Sequence, residues 1–185
     1  ERLGSQVEYV LLKCLGSNDW RIQVAAADVA GRLGVTSAVP VLLRLFAQEE
    51  ARPPHPALKH GWVRSKMRES LFAGEDHSPD RETDQVEGVK RYRLKRAVIT
   101  ALGLLGDVRA IPPLEKAMAR GTDFFPALSQ LPIALARLNS TGSIPVLERN
   151  RDNAEGNARL QVRLALEYLK GEINRAAFEA RVNPC

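Results

Sequence analysis

Hydrophobic positions recur along the chain at the 3.6-residue spacing of an α-helix. Asp19 precedes the first clear stripe and is a predicted N-cap, because its carboxylate can accept the free amides of the first turn. Gly34 follows the stripe as a predicted left-handed C-cap, and Pro40 suits the first turn of a second helix. We therefore predict a helix pair over residues 19–48. The first helix would bury Ala25, Ala26, Val29, Ala30 and Leu33, and the second Val41, Leu42, Leu45 and Phe46.

This helix-pair pattern returns further along the chain. A shift of 72 positions aligns residues 21–42 with 93–114 without a gap. A further shift of 33 gives a third copy, and a weaker fourth copy covers residues 158–170. Helix pairs of this kind bury their apolar faces only by stacking on neighbours. The prediction is an all-α fold, an α-solenoid of stacked antiparallel helix pairs. The coinciding residues include Gly31 with Gly103, Gly34 with Gly106, Pro40 with Pro112, and Leu114 with Leu147.

The repeated pattern D-x-x-[IV]-[RQK]-x-x-A-A-x-x-[AL]-G-x-L-G-x-x-x-A-[VI]-P-x-L resembles the HEAT repeat, and most closely the short bacterial class named after phycobilisome lyases. Asp19–Phe46 and Tyr92–Met118 carry it most completely. The expected organisation is one HEAT-like repeat domain over 1–185. Because its first copy lacks a first helix, we expect a longer solenoid before Glu1. The expected units are a half repeat at 5–16, pairs at 19–48, 90–120, 124–150 and 157–182, and an insertion at about 49–88.

The insertion breaks the repeat spacing and differs from it in composition. It opens with a proline-rich stretch, for which we predict an extended path. Residues 62–72 would form a short amphipathic helix, and residues 73–88 a polar loop. Trp62 lies in this segment, away from the repeat pattern. We weigh a partner-anchoring role for it against packing of the insertion onto the solenoid.

Charge in and beside the insertion is segregated, although the whole chain carries only +5. Residues 52–70 carry net +4, residues 74–88 net −5, and residues 89–96 net +5. The acidic loop could fold back over its basic neighbours, the region could dock an acidic protein, or the cations could contact a phosphate backbone. The acidic stretch argues against nucleic acid, which it would repel. The basic patch consists of Lys90, Arg91, Arg93, Lys95 and Arg96.

Motifs for catalysis, metals or cofactors do not stand out in this sequence. The three histidines, His55, His60 and His77, all fall in the insertion without paired metal-ligand spacing. No nucleophile elbow, phosphate loop or dinucleotide fingerprint occurs. Cys14 lies between leucines on an apolar helix and is interpreted as a core residue. Trp20 is expected to cover the end of the preceding helix pair. We predict no catalytic residues, no metal and no cofactor.

The resemblance to HEAT repeats implies that the second helices line a concave surface for a partner. We therefore predict a scaffold that binds another protein through this face and the insertion. A lyase-like role in bilin attachment or detachment and nucleic-acid binding through the basic patch are the alternatives. No stretch is apolar enough for a membrane span, and the sparse cysteines favour a cytoplasmic location. The predicted partner-binding residues are Arg44, Gln48, Trp62, Lys116, Arg120 and Glu148.

Overall fold

The computed structural model describes residues 2–52, 83–120, 130–152 and 156–182, and in these ranges every regular element is helical. Short 3₁₀ turns at Thr36–Ala38, Val108–Ala110 and Thr141–Ser143 lead into three of the helices. In chain order the helices are α1 (Arg2–Leu15), α2 (Trp20–Leu33), α3 (Val39–Ala51), α4 (Thr83–Leu105), α5 (Ile111–Ala119), α6 (Gln130–Arg137), α7 (Ile144–Arg151), α8 (Gly156–Leu169) and α9 (Arg175–Val182).

The helix ends follow the signals in the sequence. The Asp19 carboxylate accepts a hydrogen bond from the Arg21 backbone amide at 2.8 Å and caps α2. Gly34 ends that helix with φ 69°, in the left-handed region that glycine enters without a steric penalty. Pro40 lies in the first turn of α3, where its missing N–H costs no helical hydrogen bond. The N-cap, the C-cap and the proline position are therefore confirmed.

Two layers of helices stack along the chain. Helices α2, α4, α6 and α8 pack consecutively and form the first-helix layer. Helices α3, α5 and α7 form the second-helix layer, in which α5 contacts α7. Helix α1 packs on α2 and α3, and α9 packs on α8, where Phe178 stacks on Tyr168 with ring centroids 4.8 Å apart. The predicted all-α solenoid of stacked helix pairs is confirmed.

Close contact within the first-helix layer depends on small residues. A Cβ atom added to Gly31 would lie 2.9 Å from the Ala101 Cα, and one added to Gly103 would lie 2.7 Å from the Ala134 Cα. Real Cβ atoms do not approach backbone this closely, so glycine is required at both positions. The two contacts are related by the repeat shifts of 72 and 33, so the same packing joins α2 to α4 and α4 to α6.

The core runs between the two layers. Helix α6 is the most enclosed element, because every residue of it from Leu131 to Arg137 is buried. Helices of the second layer bury leucine and phenylalanine against it and against α4. The largest fully buried side chains include Phe46, Phe178, Leu15, Leu42, Ile99, Leu102, Leu114, Leu131, Leu135 and Leu147.

Helix α4 is longer than the sequence predicts. It begins at Thr83, inside the stretch that we assigned to a polar loop. Glu87 falls near its beginning, where an acidic residue complements the helix dipole, although the sequence predicts it only as part of a polar loop. The predicted helix at 62–72, Trp62 and the three histidines lie outside the described residues. None of the helices that the structure describes is both long and apolar enough to cross a membrane.

Candidate binding groove

A groove of about 1130 Å³ runs across the first-helix layer. Its walls come from α2, α4, α6 and α8, and α9 closes one end. Helices packed at the usual 8–10 Å spacing would give it a length of roughly 24–30 Å from α2 to α8. Sites assembled from several helices of a stack are typical of solenoid binding surfaces. We call this site the arginine groove, after its lining residues Arg21, Arg32, Arg93, Arg96, Arg137 and Arg181.

Six arginines line the arginine groove and only one acidic residue, Asp28, lines it with them. Three of the six make ion pairs: Arg32 with Asp28 at 3.0 Å, Arg137 with Glu179 at 2.8 Å, and Arg181 with Glu167 at 3.0 Å. No carboxylate of the described ranges forms an ion pair with the remaining three, which are exposed. These are Arg21, Arg93 and Arg96.

Trp20 lies at the α2 end of the groove, beside two of these exposed arginines. The guanidinium carbon of Arg21 is 5.4 Å from the centre of its ring, and that of Arg93 is 6.0 Å away. Both distances are within the range of cation–π attraction. The ring is half-buried and contributes to the groove wall. Trp20 therefore does more than cover the preceding helix pair, the role that its sequence position predicts.

The lining between the arginines is largely apolar. Side chains from five helices contribute to it, and Leu160 is 64% exposed there. Next to Leu160, the Oε1 atom of Gln161 is buried and receives no hydrogen bond from any part of the chain that the structure describes. An unmatched buried acceptor is costly to the fold. The apolar lining comprises Val24, Ala25, Ala97, Ile133, Leu160, Leu164 and Val182.

Arg137 and Glu179 form the most enclosed ion pair of the groove. The side chain of Arg137 is only 5% exposed, and its Nε and Nη2 atoms donate to the two Glu179 oxygens at 3.0 and 2.8 Å. This two-pronged hydrogen bond holds the pKa of Glu179 below its ordinary range, against the opposing effect of partial burial. The pair joins α6 to α9 and fixes the end of the groove.

The predicted basic patch does not form one open face. Arg91 Nε donates to Glu49 Oε2 at 3.2 Å, and both side chains are almost completely buried. Lys95 is also buried and forms an ion pair with Glu50, which Arg120 contacts at 3.0 Å. Two of the five cations are thus used to attach α4 to the end of α3.

The other members of the predicted patch lie elsewhere. Lys90 is 3.7 Å from the Glu87 carboxylate, which Arg52 also approaches at 3.5 Å. Glu87 belongs to the acidic stretch of the insertion, most of which lies outside the described residues. Only Arg93 and Arg96 of the patch face the arginine groove.

Five of the six predicted partner-binding residues lie on the second-helix layer, away from the lining of the groove, and the sixth, Trp62, lies outside the described residues. Arg44 and Gln48 are exposed on α3, and Lys116 is exposed on α5. Glu148, on α7, forms an ion pair with Lys170, whose Nζ atom donates a hydrogen bond to the carboxylate at 2.7 Å. This hydrogen bond lowers the pKa of the Glu148 carboxyl. Arg120 is held by Glu50, as described above. The role of this face in binding stays a prediction.

Sequence reasoning missed Trp20, Arg21, Arg32, Gln161 and the two glutamates of the α3–α4 cluster. Arg21 and Arg32 are eleven positions apart, or three helical turns, which places them on the same face of α2. That periodicity was available in the sequence, but it identifies a shared face only after the neighbouring helices are known. Glu49 and Glu50 carried no such signal, because their partners are about 40 to 70 residues away.

Other candidate chemistry is limited in the described ranges. Cys14 is half-buried and packs against the hydrophobic core, in agreement with its interpretation as a core residue. No group of three or more metal-ligating side chains comes together among the described residues.

Comparison with protein families agrees with the repeat assignment. Residues 94–120 match the family model of the PBS lyase HEAT-like repeat. The match covers α5 and the second half of α4, so it supports the predicted HEAT-like repeat at this helix pair. Searches of curated proteins and of solved structures gave no match.

Proposed function

We propose that this chain, which carries a HEAT-like repeat at residues 94–120, is a non-catalytic scaffold that binds another protein. The observation that carries the proposal is the arginine groove. It combines an apolar lining, three exposed arginines without a carboxylate partner in the described ranges, and a tryptophan between two of them. Tryptophan and arginine dominate the energetics of protein interfaces.

The shape of the groove also supports a protein ligand. Its lining comes from five helices, so a ligand would contact several repeats at once. An extended surface of this kind suits a segment of another protein better than a compact metabolite. We place the scaffold in the cytoplasm as part of the same proposal, in line with its sparse cysteines.

The second-helix layer and the insertion remain candidates for additional contacts. Arg44, Gln48 and Lys116 are exposed and within reach of a partner on that side. Trp62 is proposed as an anchor from its sequence context alone. A partner could contact one layer or both. Mutations can distinguish the two layers, because none of these three exposed residues lines the arginine groove.

Affinity capture with the full chain, followed by reconstitution with the purified candidate, tests the proposal. We expect a stoichiometric complex with one protein, measured by calorimetry. A chain that retains its helical circular dichroism and binds no protein would overturn the scaffold function, whichever layer is considered.

The family match makes a role in bilin chemistry the second candidate. A lyase-like or accessory protein should alter the visible absorption of a bilin when it is mixed with the bilin and its acceptor protein. An unchanged spectrum over hours would dismiss this candidate without affecting the scaffold proposal.

Nucleic-acid binding is the third candidate and has less support from the charges. Lys95 and Arg91 are committed to α3, so the five-cation patch cannot contact a phosphate backbone as a unit. If binding occurred through several phosphates, it would weaken steeply between about 50 and 200 mM salt.

A further inference from the structure

We infer that the arginine groove binds an acidic, amphipathic segment of the partner protein. The inference rests on the proposed function and specifies the chemistry of the ligand. Carboxylates of the segment would pair with Arg21, Arg93 and Arg96, and its apolar side chains would cover the lining between them.

The first step of the argument is charge. The three exposed arginines project from two neighbouring helices, with Trp20 between Arg21 and Arg93. Three further arginines of the groove already have carboxylate partners. Among the described residues, the positive charge without a carboxylate partner is therefore local, at the α2–α4 end. Two or three carboxylates of a peptide match it, whereas a nucleic acid brings a continuous row of phosphates.

The second step is the apolar part of the groove. Beyond the three exposed arginines, the lining passes through Ile133 on α6 to Leu160 and Leu164 on α8. A purely acidic polymer would leave this surface unused. Hydrophobic residues recurring every third or fourth position would bury it, and this is the anchoring pattern of an amphipathic helix.

Size is consistent with such a ligand. A helix of about 16 residues is about 24 Å long, close to the roughly 24–30 Å between α2 and α8 at ordinary helix spacing. The test ligand is therefore a fluorescein-labelled peptide of about this length, with glutamate on one face and leucine on the other. Three comparison ligands have the same label and length: the peptide with lysine replacing glutamate, polyglutamate, and single-stranded DNA.

Fluorescence anisotropy with the full chain gives the affinities. We expect the glutamate–leucine peptide to bind best, and Arg93→Glu/Arg96→Glu to weaken it at least about tenfold. The matched control is Lys13→Glu/Arg149→Glu, an equal charge change at exposed positions outside the groove, with an expected effect below about twofold. Because a double reversal risks altering the fold, Arg93→Gln/Arg96→Gln is measured as well. It should give a smaller loss in the same direction, with an unchanged circular dichroism spectrum.

The remaining outcomes contradict the inference. If the groove variant and the control variant lost the same affinity for the peptide, the attraction would be unspecific. If polyglutamate bound as tightly as the glutamate–leucine peptide, the apolar lining would not be part of the binding site. Tighter binding of the DNA would make the groove a nucleic-acid site. If the captured partner is insensitive to the groove variant but lost with Arg44→Glu/Lys116→Glu, the scaffold function stands and its site is the second-helix layer. The absence of any protein partner is the separate failure of the scaffold proposal.

Discussion

Residues at the same position of three repeats adopt the same left-handed backbone conformation. Gly34 and Gly106 end their helices with φ 69° and 70°. The shift of 33 that relates the second copy to the third places Asn139 at the same position, and its φ is 53°. Asparagine is one of the few side chains that tolerates the left-handed region. The same turn therefore survives in the third copy although the glycine that predicts it is absent.

At the same scale, we predict that Glu179→Gln destabilises the fold at neutral pH. Arg137 is buried and has its Nε and Nη2 hydrogen bonds to this carboxylate, so loss of the charge should lower the free energy of unfolding by about 1–2 kcal/mol. Because the folded pKa of Glu179 is below its ordinary value of about 4.3, the contribution is present above that value. It is lost as the pH falls through the folded pKa. Denaturant titrations at several pH values measure the difference.

Glu148→Gln is the control for this prediction. It removes an ion pair with Lys170 in which both side chains are exposed to water, so the loss of stability should be smaller. An effect of Glu179→Gln that stays undiminished as the pH falls through the folded pKa of Glu179, which is below its ordinary value, would contradict the assigned electrostatic cause.

At the scale of the helices, the first-helix layer is held at close spacing by glycine and alanine. We predict that Gly103→Ala destabilises the protein, because the new methyl group would lie 2.7 Å from the backbone of Ala134. Overpacking of this kind costs about 1–3 kcal/mol, and the better helix propensity of alanine offsets up to about 1 kcal/mol. The expected result is a lower midpoint in thermal and urea unfolding.

Gly4→Ala is a matched control for this substitution. Gly4 is also helical, but an added Cβ would have no neighbour within 4 Å. Only the gain in helix propensity applies there, so stability should stay the same or rise slightly. If Gly103→Ala were as stable as Gly4→Ala, α4 and α6 would have to separate easily, and the close contact would not be a determinant of the layer spacing.

The sequence predicts the helices well because their signals are local. Asp19, Gly34 and Pro40 act within one or two turns. The buried stripe predicted for α2 is wrong in part, because Val29 and Leu33 are 39% and 61% exposed. Partners across the solenoid have no such signal. From the sequence alone, Arg91 and Lys95 belong to a predicted open basic patch. In the structure, they form ion pairs with Glu49 and Glu50. The groove was missed for the same reason, because it exists only where several helices meet.

At the scale of the whole molecule, an ion-pair cluster joins the helices on either side of the insertion. Glu49 pairs with Arg91, and Glu50 pairs with both Lys95 and Arg120. These contacts connect α3 to α4 and α5, and the partners are up to 70 positions apart in sequence. Buried charges of this kind are costly when unpaired, so the cluster favours one alignment of the helices over others.

We therefore predict that residues 53–82 can be replaced by a Gly/Ser linker without loss of the fold. The side chains of Arg52 and Glu87 approach to 3.5 Å, so the end of α3 and the beginning of α4 are close in space. A flexible linker of about ten residues has a root-mean-square length of about 17 Å and should join them without strain. Helical circular dichroism should persist, and the melting temperature should change by only a few degrees. Deletion of 49–88 instead removes Glu49 and Glu50, and it should unfold at a clearly lower temperature.

The same pair of variants tests the role predicted for the insertion. If the linker variant is folded and captures less of the partner, residues 53–82, with Trp62, belong to the binding site. If capture is unchanged, binding belongs to the helix layers alone. A linker variant that melts as early as the deletion of 49–88 would contradict the argument from the ion-pair cluster. In that case the paired charges would not be what holds α3 against α4, and the replaced residues would be needed for the fold.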